Sequence, residues 1–505
     1  MNQRPRTSGI PADTAHRPAG FPWLSRRQML QHAGTGIGMM GLASVLAGED
    51  LLLGRQESIG ATIATGDGAP NMPHVAPRAK RFIHLYMNGG PSQVDTFDYK
   101  PALSKYAGQR PKEVDLKTLR NTSEVLPSPW KFQRHGKSGL WVSELFPHVA
   151  QHVDDLCVIH SMHTDLPEHA AAMLMMNLGS LQPNRPSLGA WLGYGLGSEN
   201  DNLPGFVVLC HRDKPRGAEA SWSSSFLPAI HSGVYVDTHN MDPRNVLNDI
   251  RHPNLSRSQQ RAQLDVLQQM NRLHLERLEQ DQALEGKIES LELAFRMQFS
   301  APEVFDIRRE TQATLDRYGI ADMPTFSNKG NRPFGGFAEG CLLARRLSER
   351  GVRMVQLAFA PDIPWDDHED IRNHEFRARD CDRAIAALLQ DLKERGLLDE
   401  TLVLWGGEFG RTPVNDKSAG IPGRDHDHYG FTVWMAGGGV RGGRTYGATD
   451  DFGFRAVENP LHVHDLHATI LYAMGLDHEL LTYRFSGRDF RLTDVSGRVV
   501  KDIFV

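Results

Sequence analysis

Three stretches in the C-terminal half carry the side chains best suited to metal or acid–base chemistry. In Pro361-Asp362-Ile363-Pro364-Trp365-Asp366-Asp367-His368-Glu369-Asp370, with His374 beyond, Asp366 and His368 stand one residue apart. That spacing lets both side chains reach one ion from a loop, and a nitrogen–carboxylate pair suits zinc, manganese or iron better than calcium. In Gly406-Gly407-Glu408-Phe409-Gly410-Arg411-Thr412-Pro413 two glycines permit close backbone approach. Glu408 follows a strand there, and Arg411 offers a planar fork for an anion. In Gly423-Arg424-Asp425-His426-Asp427-His428-Tyr429-Gly430 the two histidines alternate with carboxylates, again as metal ligands. A fourth group, His462, His464 and His467, reads better as a helix start with Asp465 as its early acid than as a second metal site. Gly437-Gly438-Gly439 is expected to be a tight connection near the site.

Composition agrees. The chain has 505 residues with 23 histidines, many of them clustered. Its 56 basic against 61 acidic residues leave a net charge of −5, which argues against a general nucleic-acid binder. Four cysteines, Cys157, Cys210, Cys341 and Cys381, exclude a disulfide-dense scaffold and paired CxxC zinc knuckles. There is no HExxH helix, no GxSxG elbow and no full phosphate-binding loop, since Gly136-Lys137-Ser138 lacks the earlier glycine.

The elements that must position these residues alternate. Strands are expected at Phe82–Met87, Leu156–His160, Gly205–Leu209, Met354–Phe359, Thr401–Trp405 and Phe431–Ala436. Helices are expected at His169–Leu178, Gly336–Arg350, Phe376–Arg395 and His464–Met474. The alternation predicts an α/β fold with a mainly parallel central sheet flanked by helices. Ligands then bind beyond the carboxyl ends of the strands, where the three stretches lie. A long polar helical pattern, Ser256–Phe299, predicts an arm or cap packed on the sheet, within an insertion around 215–330. Ser221–Arg251 reads as loop-rich, either lining a cleft or simply connecting. Residues 1–47 have the order of a twin-arginine export signal, Ser25-Arg26-Arg27-Gln28-Met29-Leu30 followed by a Gly/Ala-rich run. Residues 48–78 read as a linker before a domain at 79–505. The address is periplasmic or extracellular, with the twin-arginine translocase as partner during export. No stable membrane span is expected in the mature form.

Asp366/His368, Glu408-Phe409-Gly410 and His426 ahead of an apolar strand resemble the ligand order of the alkaline phosphatase and sulfatase superfamily. More closely, the chain resembles the bacterial exported domain-of-unknown-function family 1501, described as sulfatase-like. The matching segments are Asn88-Gly89-Gly90-Pro91-Ser92-Gln93-Val94-Asp95-Thr96-Phe97-Asp98, Trp365-Asp366-Asp367-His368, Gly407 to Pro413, Gly423 to His426, and Gly437 through Asp477. The resemblance implies an alkaline-phosphatase-like fold and a divalent metal, zinc first, with manganese, iron or calcium as alternatives. It implies Asp366, His368, Glu408, His426, His428 and Asp95 as ligands, and Asn88 and Arg424 as substrate contacts. The nucleophile slot falls on Asp165-Leu166-Pro167-Glu168-His169, which makes His169 the candidate, with Thr164 and Ser92 as alternatives and Arg411 clamping the anion. None of the cysteines has the Cys-x-Pro/Ala-x-Arg pattern of formylglycine sulfatases. The expectation is an exported metal-dependent hydrolase of phosphate or sulfate esters, acting on a small-molecule or polysaccharide ester. The alternative is a secreted metal-binding or scaffold protein of the same fold without turnover.

Overall fold

The computed structural model describes residues 72–214, 218–238, 254–275, 282–320, 336–417 and 422–505. The export signal expected at 1–47 and the linker up to residue 71 lie outside the described residues. From His74 onward the chain is pinned. The amides of His74 and Val75 donate to Gly475 O, and those of Arg78 and Ala79 to Ala473 O. These bonds satisfy carbonyls that a helix end leaves without intrahelical partners.

Among the described residues nine strands form the central sheet: β1 (Arg81–Tyr86), β2 (Leu156–His163), β3 (Phe206–Cys210), β4 (Val234–Asp237), β5 (Met354–Ala358), β6 (Thr401–Gly406), β7 (Phe431–Ala436), β8 (Arg444–Tyr446) and β9 (Leu461–His462). Their order is β8-β2-β7-β6-β1-β5-β3-β4, with β9 also paired to β2. All neighbours run parallel except β7, which is antiparallel to both β6 and β2. The mainly parallel α/β sheet expected from the alternation is therefore present. The longer helices among the described residues are α1 (His169–Leu178), α2 (Leu188–Leu196), α3 (Arg257–Leu275), α4 (Gln282–Phe305), α5 (Phe337–Glu349), α6 (His374–Glu394) and α7 (Val463–Ala473).

Both sheet faces are covered, which is why strands such as Phe206-Val207-Val208-Leu209 read as unbroken apolar runs. Along β1 the side chains alternate. Ile83 and Leu85 enter one core with Leu342 of α5 and Leu388 of α6. Phe82 and Tyr86 enter the other with Met173 of α1, Trp191 of α2 and Ile470 of α7.

Three elements depart from expectation. The Ser256–Phe299 pattern is two helices, α3 and α4, side by side and antiparallel. Arg261 forks onto Glu292 at 2.7 and 2.5 Å, and Gln298 donates to Gln260 at 2.8 Å. The C-terminal end of α4 enters the core through Met297, Val304 and Phe305, and the buried Arg346 donates to Val304 O at 2.6 Å. Val234–Asp237, within the stretch read as loop, is the edge strand β4; four residues among polar neighbours carry too little alternation to be seen. Finally, Gly437-Gly438-Gly439 turns at positive φ against Thr401 O and Leu398 O, at the start of β6. Because β7 runs antiparallel, its C-terminal turn lies at the sheet edge opposite the one that gathers Asp366, Glu408 and His426. The expectation that it borders the site is thereby corrected. No helix among the described residues is long and apolar enough to cross a membrane.

Leu357 in β5 is 1% exposed and sits in the core between the sheet and α5. Leu357→Ala is expected to lower stability by about 2–5 kcal/mol, read as a shift in the urea unfolding midpoint with an unchanged slope.

Candidate metal centre

Four segments leave the same sheet edge, at the carboxyl ends of the parallel strands. After β1, Gly89 and Gly90 turn at φ +108 and +75. A side chain at Gly89 would meet Trp365 N at 2.6 Å, so only glycine lets this turn press against the next loop. The loop after β2 leads into α1, whose first residue is His169 and whose N-cap is Glu168, accepting from Ala171 N at 3.0 Å. The loop after β5 carries Asp366, Asp367 and His368. After β6 come Glu408 and an antiparallel hairpin, Gly410–Asp416 with Arg424–Asp427. That hairpin brings Arg411, Asp416, Asp425 and His426 to the same place, and its exit leads into β7.

The centre of this assembly is Oδ1 of Asp366. His368 Nε2 lies 3.0 Å from it, His426 Nε2 3.1 Å and His169 Nε2 3.4 Å. The Nε2 atoms of His368 and His426 are 2.9 Å apart. In each ring the other nitrogen faces an acceptor. His169 Nδ1 meets Glu408 Oε1 at 2.7 Å, His368 Nδ1 meets Asp416 Oδ2 at 2.8 Å, and His426 Nδ1 meets Pro167 O at 2.5 Å. A carbonyl or carboxylate oxygen only accepts, so each Nδ1 carries the proton. With the rings neutral, the state in which imidazole binds a metal, the Nε2 lone pairs then all point inward at Asp366 Oδ1, an oxygen that only accepts. Two such lone pairs at 2.9 Å repel unless a cation lies between them. Two overlapping ligand groups result, His169/Asp366/His426 and His368/Asp425/His426. Nitrogen and carboxylate oxygen are the donor set of zinc and its neighbours.

Charge is concentrated here. Burial opposes ionisation of Asp366, but Arg411 and the three imidazoles outweigh it and hold the carboxyl well below the usual range. Arg411 Nη1 sits 2.7 Å from Asp366 Oδ1, and its other nitrogens donate to the carbonyls of Gly89 and Gly90. Burial pushes His426 down to about 4, against the opposing pull of Asp366. For His169 burial also lowers the pKa, yet its bonds to Asp366 and Glu408 win and raise it. A proton and a divalent ion thus compete for the same His169 lone pair. Glu408, fully buried, is further held by the Tyr86 hydroxyl at 3.1 Å and by Gly89 N at 2.9 Å. The Phe409 ring packs 4.7 Å from both His169 and His426, walling that side with apolar surface.

Of the residues singled out in the sequence, Asp366, His368, His426, His169, Glu408 and Arg411 come together. Asp95 is placed elsewhere: it takes Arg424 bidentately at 2.7 and 3.2 Å and accepts from Ser92 Oγ at 2.5 Å. Asn88 is fully buried, with its amide donating to the carbonyls of Ala360 and Asp362. Thr164 is buried, its hydroxyl has no partner among the described residues, and its amide donates to His428 O at 3.0 Å. The His428 ring lies against Tyr429 at 3.9 Å, outside both ligand groups. His462 caps α7 reciprocally with Asp465, as the helix-start reading expected, and His464 and His467 bond the carbonyls of Gly179 and Met176. Sequence reasoning passed over Tyr86, Asp367 and Asp416. Asp367 holds His374 at 2.7 Å, and His374 Nε2 accepts from Ser92 N at 3.0 Å. Two polar residues seven apart around one helix start were the available signal for that pair. Asp416 and Tyr86 carry none.

The sequence matches the family described as "Protein of unknown function (DUF1501)" over residues 79–504. The chain belongs to that family. Among solved structures it is similar to Ps i-CgsB, with 10% identity, 79% of this chain and 72% of that chain covered, and a TM-score of 0.35. The lipoteichoic acid synthase LtaP from Listeria monocytogenes aligns at 11% identity over 81% of this chain and 79% of that one, TM-score 0.33. Alkaline phosphatase from the Antarctic bacterium TAB5 aligns at 10% identity over 79% and 98%, TM-score 0.31. No curated protein matches the chain.

The Arg424–Asp95 pair is wholly buried. Removing the guanidinium leaves a buried carboxylate unpaired, so Arg424→Met is expected to cost about 3–5 kcal/mol in urea unfolding. Burial raises the Asp95 pKa, but Arg424 and Ser92 outweigh it and hold it below the usual value. Its stabilising contribution is therefore complete above the unfolded aspartate pKa of about 3.9 and is lost as pH falls through the lower folded value. Asp95→Asn should flatten that part of the acid limb when unfolding midpoints are measured against pH.

Proposed function

We propose that the protein is an exported, metal-dependent hydrolase of phosphate or sulfate esters within the alkaline phosphatase and sulfatase superfamily. The observation that carries the metal is the inward convergence of the His169, His368 and His426 lone pairs on Asp366 Oδ1. The donor set fits zinc, with manganese, iron or calcium as alternatives. His169, Asp366 and His426 would hold one ion, and His368 with Asp425 and His426 is the overlapping alternative. A divalent ion held there supplies Lewis acidity toward an ester oxygen and lowers the pKa of water in its shell.

The chain's own residues do the remainder. Glu408, braced by Tyr86 and Gly89 N, fixes the tautomer and orientation of His169; Asp416 does the same for His368, and Pro167 O for His426. Arg411 orients Asp366 and brings a permanent positive charge to the centre, which favours an anionic ester. Phe409 limits water access on its side. Thr164 has a buried hydroxyl with no partner among the described residues and stays a candidate attacking group beside His169; Ser92 is engaged by Asp95 and His169 by Glu408. Those two engagements also support a second reading, a metal-binding protein of this fold without turnover. Export rests on the Ser25-Arg26-Arg27 motif and the apolar run after it. A polysaccharide ester remains within the substrate class.

Elemental mass spectrometry of the purified mature protein checks the metal. Near-stoichiometric zinc, manganese or iron is expected in the wild type, and loss in Asp366→Ala and His426→Ala. A folded, metal-free wild type would overturn the proposal. Glu408→Gln should weaken metal affinity about 10–100-fold in a chelator competition while leaving the fold intact. Release of nitrophenol from aryl phosphate or aryl sulfate by the metal-loaded protein separates the hydrolase from the second reading.

A further inference from the structure

A cavity of about 420 Å³ lies between the hairpin Phe132–His135/Leu140–Ser143 and the β2–β8 edge of the sheet. Its volume is in the range of small-ligand pockets. None of the metal-centre residues lines it. One wall is aromatic. Tyr99 and Trp141 stand 4.6 Å apart, ring centre to ring centre, and are 37% and 36% exposed, although large aromatic side chains are ordinarily buried. Arg134, directly across the hairpin from Trp141, places its guanidinium 5.1 Å from the indole ring. It pairs with no carboxylate among the described residues. The floor is a closed polar network: buried Asp98 accepts from Thr449, and Lys100 Nζ sits 3.1 Å from it, so the lysine is fixed and neutralised. The exposed Glu458 stands on the rim.

We propose that this cavity is a saccharide-binding subsite separate from the metal centre. A sugar ring presents a flat C–H face and an equatorial belt of hydroxyls. Tyr99 and Trp141 offer rigid apolar area for the face at low entropic cost. Arg134 offers N–H donors and Glu458 an acceptor for the hydroxyls. Among the described residues the lining carries one guanidinium, Arg134, and one carboxylate, Glu458, outside the Asp98–Lys100 pair, a balance that favours a neutral, hydroxyl-rich ligand over a purely anionic one. The inference does not rest on the hydrolase reading.

Affinity electrophoresis of the full chain in gels containing dextran, laminarin, carrageenan or alginate tests it. A neutral glucan, dextran or laminarin, is expected to retard the wild type. Trp141→Ala and Tyr99→Ala should each raise the apparent dissociation constant about three- to tenfold at an unchanged melting temperature. Trp141→Tyr should restore most of the retardation, which a merely structural tryptophan would not predict. Asp366→Ala should bind as the wild type does, so loss of metal and loss of this subsite are distinguishable. Retardation only by carrageenan or alginate, abolished by salt, would overturn the neutral-saccharide assignment. So would retardation by none of the four polymers, or retardation unchanged in both alanine variants.

Discussion

A single carboxylate oxygen, Oδ1 of Asp366, is approached by three imidazole nitrogens and a guanidinium, all within 3.4 Å. Few arrangements are so demanding. A buried anion must be matched by positive charge, and the nitrogens around it must not repel one another. Much of the surrounding architecture serves that demand. The Gly89–Gly90 turn has no side chains because the Asp366 loop lies against Gly89 and Phe409 against Gly90. Its carbonyls receive Arg411, and its amide reaches the carboxylate that orients His169. The hairpin after β6 exists to return His426 and Asp425 to the strand end from which Glu408 departs.

The outer ring of contacts decides the chemistry of the inner one. Each histidine could present either nitrogen. A carboxylate, a second carboxylate and a backbone carbonyl select the same tautomer three times. An imidazole with its lone pair facing inward has the form that ligates a metal; the other tautomer would be a hydrogen-bond donor. Nearby, Arg424 and Asp95 neutralise each other in full burial, and His374 braces Ser92 from behind. These pairs make the platform rigid rather than adding further ligands.

Much of this was legible in the chain. Six strands and four helices lie where apolar runs and helical spacing put them, most within a residue or two at either end, because those patterns record which local faces are buried. The stretches with alternating histidine and carboxylate residues supplied most of the side chains that converge on Asp366. Glycine beside Glu408 and after the first strand marked the close backbone approaches. The split of Ser256–Phe299 into α3 and α4 was less visible. Its polar face is satisfied by Arg261–Glu292 and Gln260–Gln298, contacts between segments that a helical repeat does not distinguish from one continuous helix.

By itself the sequence determined the alternation of elements, the chemical types at the strand ends and the absence of several common catalytic motifs. The tertiary structure decided which of those residues meet. The antiparallel course of β7 sent the triple-glycine turn to the far edge, and the hairpin put Asp416 behind His368. The bond that orients His169 comes from Glu408, 239 residues away. Local patterns report burial within a few residues of themselves. Tautomer, pairing and shared ligation depend on partners brought close only when the sheet is assembled.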